Sequence, residues 1–191
     1  NSESIDFTDK NQLETLVKKI KRFDILIFLI GLAHKKGKLN DFKSFEFINK
    51  KTLVNFLYYL EKYNKVPKKI IFASSISVYG ETSGQTIYHE DSIKNPKSPY
   101  AITKLSAEEF LLENYISKSW ILRFAPVYSS KFLLNLKKRT NFLGINFRVS
   151  KGDTKLSLCN IDNILKSIYG IIEDKIPAGV YNVSDENDYT Y

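Results

Sequence analysis

Two short stretches of this chain hold residues that together can handle a proton. Ser74 and Ser75 end the apolar run Ile70-Ile71-Phe72-Ala73, and Tyr100 and Lys104 follow four residues apart, with Tyr100 25 residues after Ser75. Helical neighbours at a spacing of four share a face, so a phenol and an ammonium would meet there. A free tyrosine titrates near 10 and is a poor base at neutral pH. A nearby ammonium favours the phenolate, and bringing the phenol to about 7 takes roughly 4 kcal/mol of differential stabilisation. Ser75 would hydrogen-bond a substrate oxygen and steady its developing charge. Taking a proton from an alcohol is productive when a hydride leaves the same carbon. No side chain accepts hydride, so the chemistry implies a nicotinamide. Each half of this pattern is common by itself, and the reading rests on their ordered combination.

Such a site needs elements to hold it. Ile25 to Ile30 is a continuous apolar run, expected to be a strand buried on both faces. Lys69 to Ser74, Ser119 to Phe124 and Val180 to Val183 are the further strands of the sheet. Asp9, with Gln12 at capping-box spacing, opens a helix whose stripe is Leu13, Leu16, Val17 and Ile20. A second helix spans Phe42 to Tyr63, with Phe45, Ile48, Thr52, Phe56, Tyr59 and Tyr63 towards one side. Pro67 ends it, and Pro99 starts the helix that carries Tyr100 and Lys104 to about Tyr115. Phe132 to Arg139 and Ile161 to Glu173 are expected helices, Phe147 to Val149 and Lys155 to Cys159 expected extended segments. The loop from Val78 to Pro99 is longer than a connector requires, and such loops often carry function. Strands alternating with helices predict an α/β fold with right-handed crossovers. Ligands then sit outside the carboxyl ends of the strands, where Ser74, Ser75 and Gly31 fall.

Composition excludes several alternatives. At 191 residues and 43% hydrophobic, the chain is one domain able to bury a core. The single cysteine, Cys159, rules out a disulfide framework or a cysteine-based zinc site and fits a reducing, cytoplasmic setting. His34 and His89 have no third ligand near them in sequence, so no metal is expected. The net charge of +8 comes from lysines scattered through every segment, which describes solvated faces rather than a nucleic-acid footprint. No signal-peptide pattern opens the chain. The longest apolar run, Ile25 to Ala33, falls well short of the roughly 20 residues that a membrane helix needs.

The stretch Ser74-Ser75-Ile76-Ser77-Val78-Tyr79-Gly80 resembles the Ser-Ser-x-x-Val-Tyr-Gly signature of the extended short-chain dehydrogenase/reductases, the nucleotide-sugar epimerase/dehydratase family. Tyr100-Ala101-Ile102-Thr103-Lys104 resembles their Tyr-x-x-x-Lys, Phe28-Leu29-Ile30-Gly31 their His-Leu-Ala-Ala, and Asn49 to Thr52 their Asn-x-x-Gly-Thr, with Lys51 for the Gly. Leu122-Arg123 to Val127-Tyr128 and Leu158 to Leu165 resemble two further segments, with Ser129-Ser130 where the family has Gly-Pro. The resemblance implies a Rossmann-like, mostly parallel sheet with flanking helices. Residues 1–128 would be a partial NAD-binding domain and 129–191 a substrate-side portion interleaved with the last strands. It implies Ser75, Tyr100 and Lys104 as catalytic residues. Asp6, Phe28, Leu29, Gly31, Asn49 and Ser74, with Tyr100 and Lys104, would bind NAD, or NADP. Ser75, Ser77, Tyr79 and Arg123 would bind substrate, although a structural salt bridge explains Arg123 equally well. The expected substrate is a nucleotide-diphosphate hexose, most simply a UDP-hexose. The expected homodimer uses helices 42–63 and 99–115.

Departures from the family pattern narrow the chemistry. Ile76 and Ser77 stand where the family's 4,6-dehydratases have an Asp-Glu pair, and Cys159 is far from the place of the 3,5-epimerase cysteine. What the resemblance leaves is 4-epimerisation or reduction of a keto sugar. A non-catalytic remnant that binds no cofactor is a third possibility. The chain, with only 8 glycines, contains no Gly-x-Gly-x-x-Gly or Gly-x-x-Gly-x-x-Gly turn, the family's seat for the pyrophosphate. By the resemblance it begins where the third strand would end, near Asp6 to Asp9. The first two strands would then lie outside it, leaving Ile25 to Ile30 an exposed apolar edge. A partial sequence, a partner chain that supplies the unit, or a decayed protein would each give this pattern, and the first is expected.

Overall fold

The computed structural model of the chain describes residues 4–33, 42–80, 87–133, 141–142, 145–146, 155–187 and 189–190. Helix α1 (Lys10–Lys19) begins at Asp9, whose carboxylate accepts from the Asn11 and Gln12 amides. Gln12 Nε2 also donates to Asp9 Oδ2, at 3.2 Å, so the predicted pair does cap the helix. At the other end Lys65 Nζ donates to the Val17, Lys18 and Ile20 carbonyls, all within 2.9 Å. A lysine reaching the last carbonyls of a helix satisfies groups that have no intrahelical partner.

Strands β1 (Ile25–Phe28), β2 (Lys69–Ser75) and β3 (Ser119–Phe124) follow in the chain. After them come the short pieces β4 (Val127–Tyr128), β5 (Asn141–Phe142), β6 (Ile145–Asn146), β7 (Lys155–Leu156) and β8 (Cys159–Asn160), then β9 (Gly179–Val183) and β10 (Tyr189–Thr190). The main sheet is parallel, in the order β1-β2-β3-β9. On one face Phe28, Ile70, Phe72 and Ile121 pack with Leu13, Val17, Leu53, Leu57, Ala107 and Leu111 from the helices. On the other, Ile71, Trp120, Leu122 and Val183 pack with Ile171, which belongs to the C-terminal helix (Ile161–Ile172). This is the Rossmann-like layering expected, with helices on both faces of a parallel sheet.

Two expectations need correction. The first strand stops at Phe28 and is not buried on both faces: Ile27 is 40% exposed and Leu29 67%. β1 is the edge of the sheet, and only the face bearing Leu26 and Phe28 meets the α1 side of the core. The expected continuous helix over 42–63 is α2 (Phe42–Glu46), a π turn (Phe47–Lys51) and α3 (Thr52–Lys62). The buried residues of α3 are Thr52, Leu53, Phe56, Leu57 and Leu60; of the expected stripe Phe45, Thr52 and Phe56 are buried, while Tyr59 and Tyr63 pack only partly buried against the core. Of the expected helix at Phe132 to Arg139, Phe132 instead forms a bridge with Ser129, and 134–139 lie outside the described residues. So do Phe147 to Val149.

α4 (Pro99–Asn114) starts where Ser98 Oγ accepts from the Ala101 amide, with Pro99 at the first helical position. The C-terminal helix, α5 (Ile161–Ile172), is capped by Asn160. Between β2 and α4 the chain makes a 3-10 turn (Ile76–Tyr79) and leaves it at Gly80, with φ of +69°. A Cβ there would stand 2.0 Å from the Asn95 carbonyl oxygen. Both the backbone conformation and the contact require glycine. Gly80→Ala should cost about 2 kcal/mol of stability, read from urea unfolding; an unchanged midpoint would mean that the turn relaxes freely.

Candidate active site

The parallel strands bring Ser75 to the carboxyl edge of the sheet, and α4 starts over that edge. Ser75 Oγ accepts from the Ser77 amide at 3.2 Å, which turns the chain sharply off the strand. The Tyr100 phenol lies near the same hydroxyl, which acts on it electrostatically. One helical turn on, Lys104 is 3% exposed and Nζ donates to the Ala73 carbonyl at 2.8 Å. It lies 4.7 Å from the Phe72 ring centre and 6.0 Å from that of Tyr100. The three residues paired by sequence spacing are therefore together in space.

Their electrostatics depart from expectation. Lys104 does not pull the Tyr100 phenol down. Burial raises the phenol above its ordinary value, and the Ser75 hydroxyl works against that rise. The ammonium is engaged with a backbone carbonyl and is itself desolvated: burial brings Lys104 down to about 8, opposed by Glu108. As it stands, the site holds its proton on Tyr100.

The Lys104 value has a consequence for stability. Its folded value of about 8 lies below the ordinary 10.5. Between those values the unfolded chain binds more protons, so stability rises with pH across that window and is lowest below it. The gain is about 2 to 3 kcal/mol. Comparing urea unfolding of the wild type and Lys104→Met near neutral pH and near pH 10 should show the wild type gaining on the variant by about that amount. A constant difference would contradict the burial of a charge here.

Asn49, in the π turn, is fully buried. Its Oδ1 accepts from the Leu32 amide at 2.6 Å, and its Nδ2 donates to the Leu32 carbonyl at 3.2 Å and Thr103 Oγ1 at 3.0 Å. It ties the segment after β1 to α4, which lays Gly31 against Lys104. A Cβ on Gly31 would stand 3.1 Å from Lys104 Nζ. The side chain of Asn49 is thus occupied, and its role is to hold backbone rather than to bind a ligand directly.

Several other expected contacts are displaced. Phe28 is a core residue stacked on Phe72, so its side chain faces no ligand. Ser74 Oγ donates to Glu108 in the interior. The Asp6 carboxylate accepts locally from the Thr8 amide and hydroxyl, and these contacts hold it below the usual carboxylate range. Arg123 is 1% exposed. Its Nε and one terminal nitrogen grip Glu108 at 2.6 to 3.2 Å, while the other donates to Tyr79 Oη at 2.7 Å and the Glu90 carbonyl at 2.9 Å. It is the buried salt bridge of the two expected alternatives. Tyr79 is buried as well and donates to Asn182 Oδ1 at 2.7 Å, so neither it nor Arg123 presents a free group to a substrate. Ser77 is different: its hydroxyl is buried without a hydrogen-bond partner among the described residues.

Sequence reasoning missed the polar layer itself. Ser74, Arg123 and Asn182 are successive cross-strand partners on β2, β3 and β9, and Glu108 from α4 plugs into that row. The only sequence signal was the spacing of Tyr100, Lys104 and Glu108, each four apart. Among the described residues no group of three His, Cys, Asp or Glu could hold a metal ion, and no helix is long and apolar enough to cross a membrane. His34 lies outside the described residues. Cys159 is buried, and burial pushes its thiol up to about 12, which makes it a poor nucleophile.

A nicotinamide dinucleotide fits half of this site. Lys104 uses one of its three hydrogens on Ala73 and lies beside the Tyr100 ring at the strand ends. The pyrophosphate half has no Gly-rich turn in this sequence.

The profile of the NAD dependent epimerase/dehydratase family matches residues 1–159. Among curated proteins, the GDP-6-deoxy-D-mannose reductase of Pseudomonas aeruginosa is 26% identical over 128 residues, covering 59% of this chain and 42% of that relative. The chain thus spans less than half the length of the curated relative it matches. Among solved structures, RMD from Pseudomonas aeruginosa complexed with NADPH superposes with a TM-score of 0.77 at 19% identity, covering 97% of this chain and 68% of that one. UDP-glucuronic acid 4-epimerase from Bacillus cereus in complex with NAD gives 0.72 at 24% identity, over 93% and 58%. WbmG of Bordetella bronchiseptica in complex with NAD and UDP gives 0.75 at 20% identity, over 99% and 58%.

Proposed function

The chain belongs to the NAD dependent epimerase/dehydratase family, and from that premise we propose that it carries the proton-handling half of a nucleotide-sugar enzyme. The observation that carries the reading is the convergence of Ser75, at the end of β2, with Tyr100 and Lys104 on one face of α4, Lys104 Nζ 6.0 Å from the Tyr100 ring centre. Tyr100 takes the proton from a sugar hydroxyl, or returns it, at its phenolic oxygen. Ser75 donates to the reacting sugar oxygen as charge grows there. Lys104 presents its spare hydrogens to a cofactor ribose. A bound nicotinamide supplies the hydride acceptor and donor that the side chains lack. Ser77, with its unpartnered hydroxyl, is the additional side chain proposed to meet the sugar.

The first reading is 4-epimerisation of a nucleotide-activated hexose, such as a UDP-hexose. Oxidation at one carbon, rotation of the keto sugar and hydride return to its other face need no more side chains than these. The second reading is reduction of a keto sugar, favoured by the curated relative named as a reductase. A version completed with an N-terminal dinucleotide-binding unit separates them. An epimerase interconverts UDP-hexoses without net consumption of cofactor, and a reductase consumes reduced cofactor in proportion to product. Turnover of neither kind overturns the proposal.

The 191-residue chain alone should bind NADH weakly, because the pyrophosphate seat is not in its sequence. Fluorescence titration checks this, and micromolar binding would contradict it. We also place a homodimer on helices 42–63 and 99–115, which expose Phe47, Tyr58 and Ile102; the mass in solution tests it.

A further inference from the structure

The geometry points to Glu108 as a positioning residue: held by Ser74 and Arg123, its carboxylate fixes α4 against the ends of β2 and β3 and keeps Lys104 the cation beside Tyr100. This rests on the reading of Tyr100 and Lys104 as the proton-handling pair. Glu108 is fully buried and lies two helical turns from Tyr100, about 12 Å along the axis. That separation keeps it from the reacting atoms, so it acts through others.

Three polar contacts run along one face of α4. Tyr100 meets the Ser75 hydroxyl, Lys104 meets the Ala73 carbonyl, and Glu108 meets the Ser74 hydroxyl. The first two are single contacts at the edge of the sheet. The third is anchored twice more, because Arg123 Nε and a terminal nitrogen fork onto the same carboxylate from β3. A paired fork of this kind fixes angle as well as distance. Ser74 and Arg123 are direct cross-strand partners, so one carboxylate sets where α4 lies along two adjacent strands. A slide of α4 would break the Glu108 contacts and the Tyr100–Ser75 alignment together.

Charge is the second part of the role. Lys104 is faced by Glu108 and the Tyr100 ring on its own helix and by the Phe72 ring and Ala73 carbonyl of β2. Gly31 and the neutral Asn49 face it from the segments beside. Glu108 is the carboxylate that acts on it, opposing the burial that favours the neutral amine. Arg123, behind Glu108, forks onto that carboxylate from β3.

The test reads Lys104 directly. Nitrogen-15 lysine NMR of the 191-residue chain, with Lys104→Arg to assign the signal, follows its ionisation in the wild type and in Glu108→Gln. The variant should show Lys104 titrating lower by about one unit. Because Glu108→Gln leaves Arg123 buried without its partner, it can fail to fold. The double variant Glu108→Met with Arg123→Met removes both charges, a replacement that buried pairs often tolerate, and should show a smaller downward move, because a neighbouring cation leaves with the carboxylate. A folded variant of either kind in which Lys104 titrates as in the wild type overturns the proposal. The lysine signal reports charge whether or not any sugar is turned over. Loss of the nucleotide-sugar reading in an activity assay therefore leaves this result intact, and an unmoved Lys104 leaves that reading intact.

Discussion

Tyr100→Phe, in a version completed with a dinucleotide-binding unit, should lower kcat by about a thousandfold while leaving the fold and nucleotide binding in place. The substitution removes one oxygen and keeps the ring against Lys104, at 6.0 Å from Nζ. What is lost is the phenolic proton site beside Ser75. Ser75→Ala should cost less, about a hundredfold, because it removes a donor to a developing charge rather than the proton carrier. The order of the two effects is itself diagnostic. Were Ser75 the more important, the proton would be travelling by another route. Steady-state kinetics with a UDP-hexose, alongside circular dichroism of each variant, measures both.

Arg123→Met should destabilise the chain by about 3 to 5 kcal/mol. The side chain is 1% exposed and spends its donors on Glu108, Tyr79 and the Glu90 carbonyl. Removing it leaves the Glu108 carboxylate buried with Ser74 as its remaining partner in that row. A buried charge without compensation costs far more than the pair itself contributes. The loop beyond Gly80 should loosen as well, since Arg123 holds Glu90 while Asn182 Nδ2 donates to the Tyr88 carbonyl at 3.1 Å. Urea unfolding gives the stability, and amide exchange at Tyr88 to Ser92 gives the loop. A loss under 1 kcal/mol would mean that water reaches Glu108 in place of the guanidinium.

The parts of the fold that rest on local chemistry were legible in the sequence. Asp9 with Gln12, Pro99, and the apolar runs of β2 and β3 each announce an element boundary within a few residues. The proximity of Tyr100 and Lys104 is a helical periodicity, and their meeting with Ser75 follows from a strand and a helix start sharing one edge of a parallel sheet. What was not legible depends on residues distant in the chain. Asn182 reaches Tyr79 across 103 positions, and Arg123 reaches Glu108 across 15 but through tertiary packing. The π turn carries Asn49, whose partners Leu32 and Thr103 no local propensity records. The direction of the Tyr100 shift was missed for the same reason. Spacing brings the lysine near, but only packing says that burial outweighs it and that the ammonium points at Ala73.

The central claim is that this chain holds the proton-transfer half of a hydride-transfer site for a nucleotide sugar. Single-turnover absorbance of the completed protein, loaded with NAD and mixed with excess UDP-hexose, tests it most directly. The account predicts that the bound nicotinamide becomes reduced in the wild type and stays oxidised in Tyr100→Phe. Equal reduction in both proteins, or none in the wild type with any nucleotide hexose, would contradict it.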